Sequence, residues 1–253
     1  MRSVLVTGGT VRLGKTIAER LRAEGWRVIT SSHRADAGAD IVADLAQPMG
    51  AARLYAAALQ MLGGQPPDAL VNNAALFTGD AAAIAAVNLE APQKLTTLMA
   101  GRESGVGAVV NVLDSVVLGS LESLGPLGSL GPLGLLESLG SGASTLSDSN
   151  QTLRDSNQTL SDPKRPYLDS KRGLLAFTRT AAATFAASLR VNAVAPGPVL
   201  APTGVHVKAG ETLLDRRPTA VDVAAAVSYL LGAESVTGAI IPVDAGQHLL
   251  EEM

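Results

Sequence analysis

A tyrosine and a lysine stand four residues apart in the segment YLDSK, at Tyr167 and Lys171. On a helix this spacing places both side chains on one face. A nearby ammonium stabilises a phenolate, so we expect Lys171 to lower the pKa of Tyr167 from about 10 towards neutral pH. The pair predicts a proton donor, Tyr167, with Lys171 as its electrostatic partner.

A carboxylate follows an apolar run in the segment VVNVLDS, where Asp114 comes directly after residues of strand character. Ligands of parallel sheets bind beyond the carboxyl ends of the strands, so this position predicts a functional carboxylate that aids proton delivery. An aspartate that only caps a turn is the alternative interpretation.

Two further segments have the composition of a dinucleotide site. TGGTVRLG, residues 7–14, follows the first predicted strand and precedes a helix, where glycines let the backbone approach a pyrophosphate. SSHRAD ends the second predicted strand, with His33 and Arg34 ahead of Asp36. Arginine binds a ribose 2′-phosphate through charge-assisted hydrogen bonds, so the segment favours NADPH over NADH, with a solvated surface arginine as the alternative.

Short apolar segments alternate with alanine-rich helical patterns along the chain. Strands are predicted at residues 4–6, 28–31, 41–42, 69–72, 109–114, 190–194 and 239–243, and helices at residues 13–24, 51–62, 88–100, 171–188 and 221–231. The alternation predicts a single α/β domain, with a doubly wound parallel sheet covered by helices on both faces.

Residues 117–163 interrupt this alternation with repeats. LGPLG and LESLG each occur twice, and LSDSNQTL is followed directly by LRDSNQTL. Glycine, proline and serine at this density oppose both helix and sheet, so we predict a low-complexity insert. A lid over the substrate is the alternative interpretation of its leucines.

The composition excludes several classes of protein. The net charge of −3 gives no reason to expect nucleic acid or an anionic membrane surface as a partner. No apolar segment is long enough to span a bilayer, and the first residues do not read as a secretory signal. There are no cysteines and only three histidines, so we expect no metal site. We expect a cytoplasmic protein that acts on a small molecule.

In this order the motifs resemble those of the short-chain dehydrogenase/reductase family, over nearly all of the chain outside the insert. NNAA at residues 72–75 is similar to the family's NNAG segment, VNLEAP contains the relay asparagine as Asn88, and NAVAPGPV matches the nicotinamide loop. The resemblance implies a Rossmann-like fold, a homotetramer or homodimer, and NADPH bound by a set of residues: Gly8, Arg12, Leu13, Gly14, His33, Arg34, Asp44, Leu45, Asn73, Ala74, Tyr167, Lys171, Pro196, Gly197 and Val199.

Four details are similar to the pteridine-reductase group within that family. Arg12 stands where the family has glycine, Asp114 stands where it has serine, His33 and Arg34 match that group's His-Arg pair, and Phe77 follows the NNA segment. The resemblance implies that Phe77 and Arg12 hold a reduced pterin, with Asp114 and Tyr167 beside it and Asn88 holding a relay water.

The sequence therefore predicts an NADPH-dependent reductase of a reduced pterin or dihydrofolate. One alternative is a carbonyl or 3-oxoacyl thioester reductase of the same fold. Another, from a different class, is a non-catalytic NADPH-binding protein whose insert recruits a partner.

Overall fold

The computed structural model describes residues 1–103, 105–118, 164–199 and 212–250. Seven parallel strands form one sheet in the order β3-β2-β1-β4-β5-β6-β7. The strands are β1 (Ser3–Thr7), β2 (Arg27–Ser32), β3 (Ile41–Val42), β4 (Ala69–Asn72), β5 (Gly107–Val112), β6 (Leu189–Pro196) and β7 (Ile240–Val243). The chain winds outwards from β1 in one direction and from β4 in the other, which confirms the doubly wound prediction.

Six helices accompany the sheet in the described residues. They are α1 (Arg12–Ala23), α2 (Gly50–Met61), α3 (Ala81–Ala85), α4 (Ala91–Ala100), α5 (Arg165–Thr184) and α6 (Ala220–Gly232). Helices α1 and α6 contribute to the core on one face of the sheet, whereas α2, α4 and α5 contribute to the core on the other. Because both faces are covered, the central strands β1, β4 and β5 are buried throughout.

Two asparagines lie in the middle of this buried sheet. Asn72 on β4 donates a hydrogen bond to Asn111 on β5 at 2.8 Å, and Asn111 donates to the hydroxyl of Thr178 on α5 at 2.9 Å. Buried polar groups are tolerated when they are hydrogen-bonded to one another. The chain of amides therefore joins two strands to the helix that carries Tyr167.

Two helices begin earlier than the sequence predicted. The helix expected at residue 88 begins at Ala81, where the Asp80 side chain accepts a hydrogen bond from the amide of Ala83, and it passes through a π-helical turn at Ala86–Glu90. The helix expected at residue 171 begins at Arg165 and ends at Thr184. Its Pro166 lies in the first turn, where no amide hydrogen is required.

The predicted insert begins later than residue 117. Val117 and Leu118 are buried in a cluster with Leu113 and Leu174, so these two residues belong to the core. The remainder of the predicted insert, from residue 119 to residue 163, lies outside the described residues. Its proposed roles as a lid or as a partner-recruiting segment therefore stay predictions. None of the helices that the structure describes is long and apolar enough to cross a membrane.

Gly14 in α1 provides a test of the close approach between the first helix and the strand ends. A Cβ atom at this residue would lie 2.1 Å from the carbonyl oxygen of Gly8. We expect Gly14→Ala to lower the free energy of unfolding by about 1–3 kcal/mol, as overpacking does in well-packed cores. Urea unfolding measures this, with Gly232→Ala as the control because a Cβ there meets nothing within 4 Å. Equal effects of the two substitutions would contradict the prediction.

Candidate active site

A cavity of about 770 Å³ opens at the carboxyl ends of the strands, where β1 and β4 lie side by side and the chain reverses its winding direction. Open parallel sheets bind their ligands at such a switch point. Every site residue that the sequence predicted, except Asn88, lines this cavity. The fold thus brings together segments that are up to 190 residues apart, although the roles of the individual residues stay predictions.

The glycine turn is tied to β4 by side-chain hydrogen bonds. The hydroxyl of Thr7 accepts hydrogen bonds from the amides of Asn73 and Ala74, each at 3.0 Å. The side-chain amide of Asn73 donates to the carbonyl oxygens of Thr7 at 3.0 Å and Gly8 at 3.2 Å. These contacts hold the two segments on either side of the switch point in one arrangement, with the helix N-terminus next to them.

Arg12 occupies the left-handed backbone region, with a φ of 50°. This region favours glycine, which is the residue that the family resemblance implies at this position. The side chain is exposed at the cavity wall. The arginine therefore places a cation at the cavity in spite of an unfavourable backbone conformation, which indicates a role for its side chain.

Arg34 makes a bidentate ion pair with Asp36 at the far end of the cavity. Its Nε lies 3.0 Å from Oδ1 and its Nη2 lies 2.7 Å from Oδ2 of the carboxylate. The pair raises the pKa of Arg34 and lowers that of Asp36 through this hydrogen bonding. Arg34 lines the cavity and Asp36 does not. An anion bound here would have to share the guanidinium with Asp36.

Asp44 and Leu45 form another part of the cavity wall. The carboxylate of Asp44 accepts hydrogen bonds from the amide of Ala46 at 2.9 Å and from the side chain of Gln47 at 3.3 Å, so it stabilises the turn after β3. Leu45 is buried. Their predicted part in binding NADPH is compatible with this placement.

Tyr167 and Asp114 meet directly although the chain between them is long. The hydroxyl of Tyr167 donates a hydrogen bond to Oδ2 of Asp114 at 2.8 Å, and Oδ1 of the same carboxylate accepts one from the amide of Val116 at 3.1 Å. Asp114 therefore does cap a turn, as the alternative interpretation had it. It also contacts the predicted proton donor, and its role in proton delivery stays a prediction.

Lys171 is buried one helical turn after Tyr167. Its ammonium donates a hydrogen bond to the carbonyl oxygen of Val112 at 2.8 Å, and its nitrogen lies 5.8 Å from the centre of the tyrosine ring. Burial lowers the pKa of Lys171 to about 8, and the charge of Asp114 opposes this shift. The structure therefore gives Lys171 an anchor at the end of β5.

The expectation that Lys171 lowers the pKa of Tyr167 is wrong for this state of the protein. The pKa of Tyr167 is raised above its ordinary value, first by burial and then by the charge and hydrogen bond of Asp114. A carboxylate that accepts the phenolic proton stabilises the neutral phenol, because a phenolate at this distance would face a like charge. Burial and the carboxylate thus favour the protonated form of Tyr167.

Phe77 lines the cavity, as predicted, whereas Asn88 does not. The ring of Phe77 stacks on the ring of Tyr167, with 4.3 Å between the centres and 19° between the planes, while more than half of Phe77 stays exposed. Asn88 is fully buried behind the cavity. Its carboxamide is hydrogen-bonded at both ends, to the backbone of Leu76 at 2.8 and 2.9 Å and to the hydroxyl of Ser170 at 3.1 Å. These three hydrogen bonds fix the carboxamide, and its predicted relay water stays a prediction.

The sequence analysis missed several cavity residues, of which Gln247 carries the most polar side chain. It lies in a short 3-10 turn, Gln247–Leu250, which begins four residues after β7 ends at Val243. A polar residue shortly after a strand is similar to the signal that singled out Asp114. Other missed residues, such as Leu76 and Val112, line the cavity without a chemical signature in the sequence.

Comparisons with known proteins agree with this geometry. Residues 152–248 match the family model described as enoyl-(acyl carrier protein) reductase. Ketoacyl reductase 2 of the granaticin polyketide synthase from Streptomyces violaceoruber is 32% identical, over 97% of this chain and 96% of its own length. The chain therefore belongs to the short-chain dehydrogenase/reductase family, whose members are oxidoreductases.

Solved structures similar to this chain include two FolM alternative dihydrofolate reductases in complex with NADP. The Brucella canis protein is 29% identical with a TM-score of 0.73, over 98% of this chain and 94% of that one. The Brucella suis protein is 29% identical with a TM-score of 0.72, over 98% and 95%. The 3-alpha-hydroxysteroid dehydrogenase from Pseudomonas sp. B-0831, complexed with NADH, is 23% identical with a TM-score of 0.71 over 98% and 97%, and shares the fold.

The lowered pKa of Lys171 can be measured directly. In protein labelled with carbon-13 at the lysine ε-carbon, we expect one resonance to titrate near pH 8, and to be missing from Lys171→Met. Because the unfolded chain keeps this proton up to the ordinary lysine value of 10.5, the contribution of Lys171 to stability should rise between pH 8 and pH 10.5. Titration of all lysine resonances near 10.5 would contradict the burial effect.

Proposed function

We propose that this protein is an NADPH-dependent reductase that acts on a reduced pterin or dihydrofolate. The observation that carries the proposal is the hydrogen bond between Tyr167 and Asp114, since it sets a carboxylate beside the proton donor in the cavity. The 29% identity to the two FolM alternative dihydrofolate reductases supports the same substrate class.

The cavity residues fit a dinucleotide with a 2′-phosphate. At Gly14 a side chain would strike the backbone of Gly8, so the glycine lets the first helix pack closely on the turn, as dinucleotide-binding folds require. At the other end, the cation of Arg34 suits a phosphate on the adenosine ribose. NADPH bound here supplies a hydride to the substrate.

The polar groups around Tyr167 favour a nitrogen heterocycle over a ketone. A carboxylate is only an acceptor of hydrogen bonds, so Asp114 attracts N–H groups and repels a carbonyl oxygen. Pterins carry ring N–H and amino groups, whereas a simple ketone carries none. The raised pKa of Tyr167 keeps its proton in place until a basic nitrogen approaches, and Asp114 then sits where a proton can be passed on.

Phe77 supports a flat substrate. Its ring lies against Tyr167, and its largely exposed surface provides an apolar side for a planar ring system. We propose that a pterin ring binds beside Phe77, where it either stacks on the exposed face of Phe77 or takes the place of Tyr167 against that ring. The direct contact between Phe77 and Tyr167 means that the aromatic residue and the proton donor are positioned together.

A carbonyl or 3-oxoacyl thioester reductase is the second candidate. The specific observation in its favour is the 32% identity to the granaticin ketoacyl reductase over nearly the whole chain. Tyr167 and Lys171 could serve either reaction, so the distinction depends on Asp114. Following NADPH oxidation with dihydropterins, dihydrofolate, ketones and oxoacyl thioesters separates the two candidates.

The homotetramer or homodimer and the cytoplasmic location stay predictions. Light scattering measures the oligomeric state.

Asp114 provides the sharpest test of substrate class. We expect Asp114→Ser to reduce kcat/KM for a dihydropterin by about ten- to a thousandfold, because it removes the carboxylate beside Tyr167. Reduction of an activated ketone should fall much less, since serine can donate a hydrogen bond to a carbonyl oxygen. Asp114→Asn should resemble Asp114→Ser, and Tyr167→Phe should abolish both activities. An unchanged ratio of the two activities would remove Asp114 from substrate selection.

Arg34 provides the test of cofactor choice. We expect Arg34→Ala to weaken NADPH binding about tenfold or more while NADH changes little, because only NADPH has the charged 2′-phosphate. Asp36→Asn is the matched control, and it should tighten NADPH by freeing the guanidinium and removing a repulsive charge. Both dissociation constants can be measured from the fluorescence of the bound nicotinamide. Equal effects of Arg34→Ala on the two cofactors would refute the assignment.

A further inference from the structure

The short turn after β7 lies beside the proton donor's part of the cavity. Gln247, the first residue of this turn, lines the same cavity as Asp114 and Tyr167. The turn also packs against the short 3-10 turn at Ser115–Val117, which Asp114 caps. The carboxamide of Gln247 is thus held near the substrate end of the site by a segment remote in sequence.

The position of Gln247 is fixed by a buried carboxylate. Asp244 accepts hydrogen bonds from the amides of Gly246 at 3.0 Å and His248 at 2.9 Å, and lies 2.8 Å from Nδ1 of His248. These contacts flank Gln247 on both sides along the chain. The backbone of the turn is therefore held in place on both sides of Gln247.

The loop after β6 approaches this turn closely. A Cβ atom at Gly197 would lie 2.6 Å from Cβ of Asp244 and 3.2 Å from Oε1 of Gln247. Gly197 also donates a backbone hydrogen bond to Val243 at 3.1 Å. Only a glycine fits at residue 197, because the carboxamide of Gln247 packs closely against this loop. In the family resemblance this loop is the nicotinamide loop.

The carboxamide oxygen of Gln247 is a buried acceptor to which no described residue donates a hydrogen bond. Among the described residues, three other buried side-chain oxygens have no hydrogen-bond partner: Oδ1 of Asn72, Oγ1 of Thr96 and Oγ of Ser115. Gln247 alone among these four lines the cavity. Buried polar atoms are normally hydrogen-bonded, and an unpaired one in a binding cavity indicates a ligand that supplies the missing donor.

We propose that Gln247 is a specificity-determining residue that accepts a hydrogen bond from an N–H group of the substrate's heterocycle. This inference rests on the proposed function and extends it to a second side of the substrate. A carboxamide offers an acceptor and a donor together, which matches the adjacent N–H and C=O of a lactam edge such as that of a pterin. With Asp114, the cavity then has two acceptors for N–H groups, and a ketone can use neither.

The test compares Gln247→Leu, Gln247→Ala and Gln247→Glu in the NADPH-bound enzyme. We expect the first two to raise KM for a dihydropterin by about tenfold, because a site that hydrogen-bonds its substrate loses affinity when the partner is removed. The value of kcat should stay within about threefold, and KM for an activated ketone should not change. Gln247→Glu keeps an acceptor oxygen but loses the amide donor, so KM for the dihydropterin should rise less than in the first two variants. Gln65→Leu makes the same chemical change on the exposed surface and serves as the control.

The outcomes distinguish this inference from the proposed function. A parent enzyme that reduces dihydropterins, together with an unchanged KM in both Gln247→Leu and Gln247→Ala, would overturn the inference alone. A parallel loss of NADPH affinity in these variants would assign the hydrogen bond to the carboxamide of the nicotinamide, which also overturns it. Absence of dihydropterin turnover in the parent would overturn the proposed function and the recognition by Gln247 with it.

Discussion

The arrangement of the site depends on one buried hydrogen bond, from the ammonium of Lys171 to the carbonyl oxygen of Val112. An ammonium removed from water needs a strong acceptor, and the last carbonyl of β5 provides one. Because Lys171 belongs to α5, this bond sets that helix against the end of the central strand. Tyr167, one turn earlier, is then carried to the position where it meets Asp114.

The pairing of Tyr167 with Asp114 gives the site its electrostatic character. The carboxylate and the burial of the ring both keep the phenol protonated, whereas the buried Lys171 is easier to deprotonate than an ordinary lysine. The site therefore combines a phenol that retains its proton with a lysine that releases its proton more readily than usual.

The cofactor half of the cavity depends on close backbone approach more than on charge. Thr7 and Asn73 join the ends of β1 and β4, and the missing Cβ of Gly14 lets α1 begin directly above them. Arg12 keeps the left-handed conformation of a glycine while it presents a cation. In this half, the two arginines, Arg12 and Arg34, place cations at the cavity wall.

The order of strands and helices along the chain was predictable from the sequence, because strands covered on both sides must be apolar and helices amphipathic. Tyr167, Lys171 and Asp114 were found by residue type and spacing. The sequence could not show that Asp114 helps to raise the pKa of Tyr167 or that Phe77 stacks on Tyr167. Nor could it show that the carboxamide of Asn88 is hydrogen-bonded to Leu76 and Ser170. These facts follow from distances between residues far apart in the chain. The tertiary structure alone decided them, because desolvation and hydrogen bonding act through space, and local sequence patterns carry no record of which distant groups come into contact.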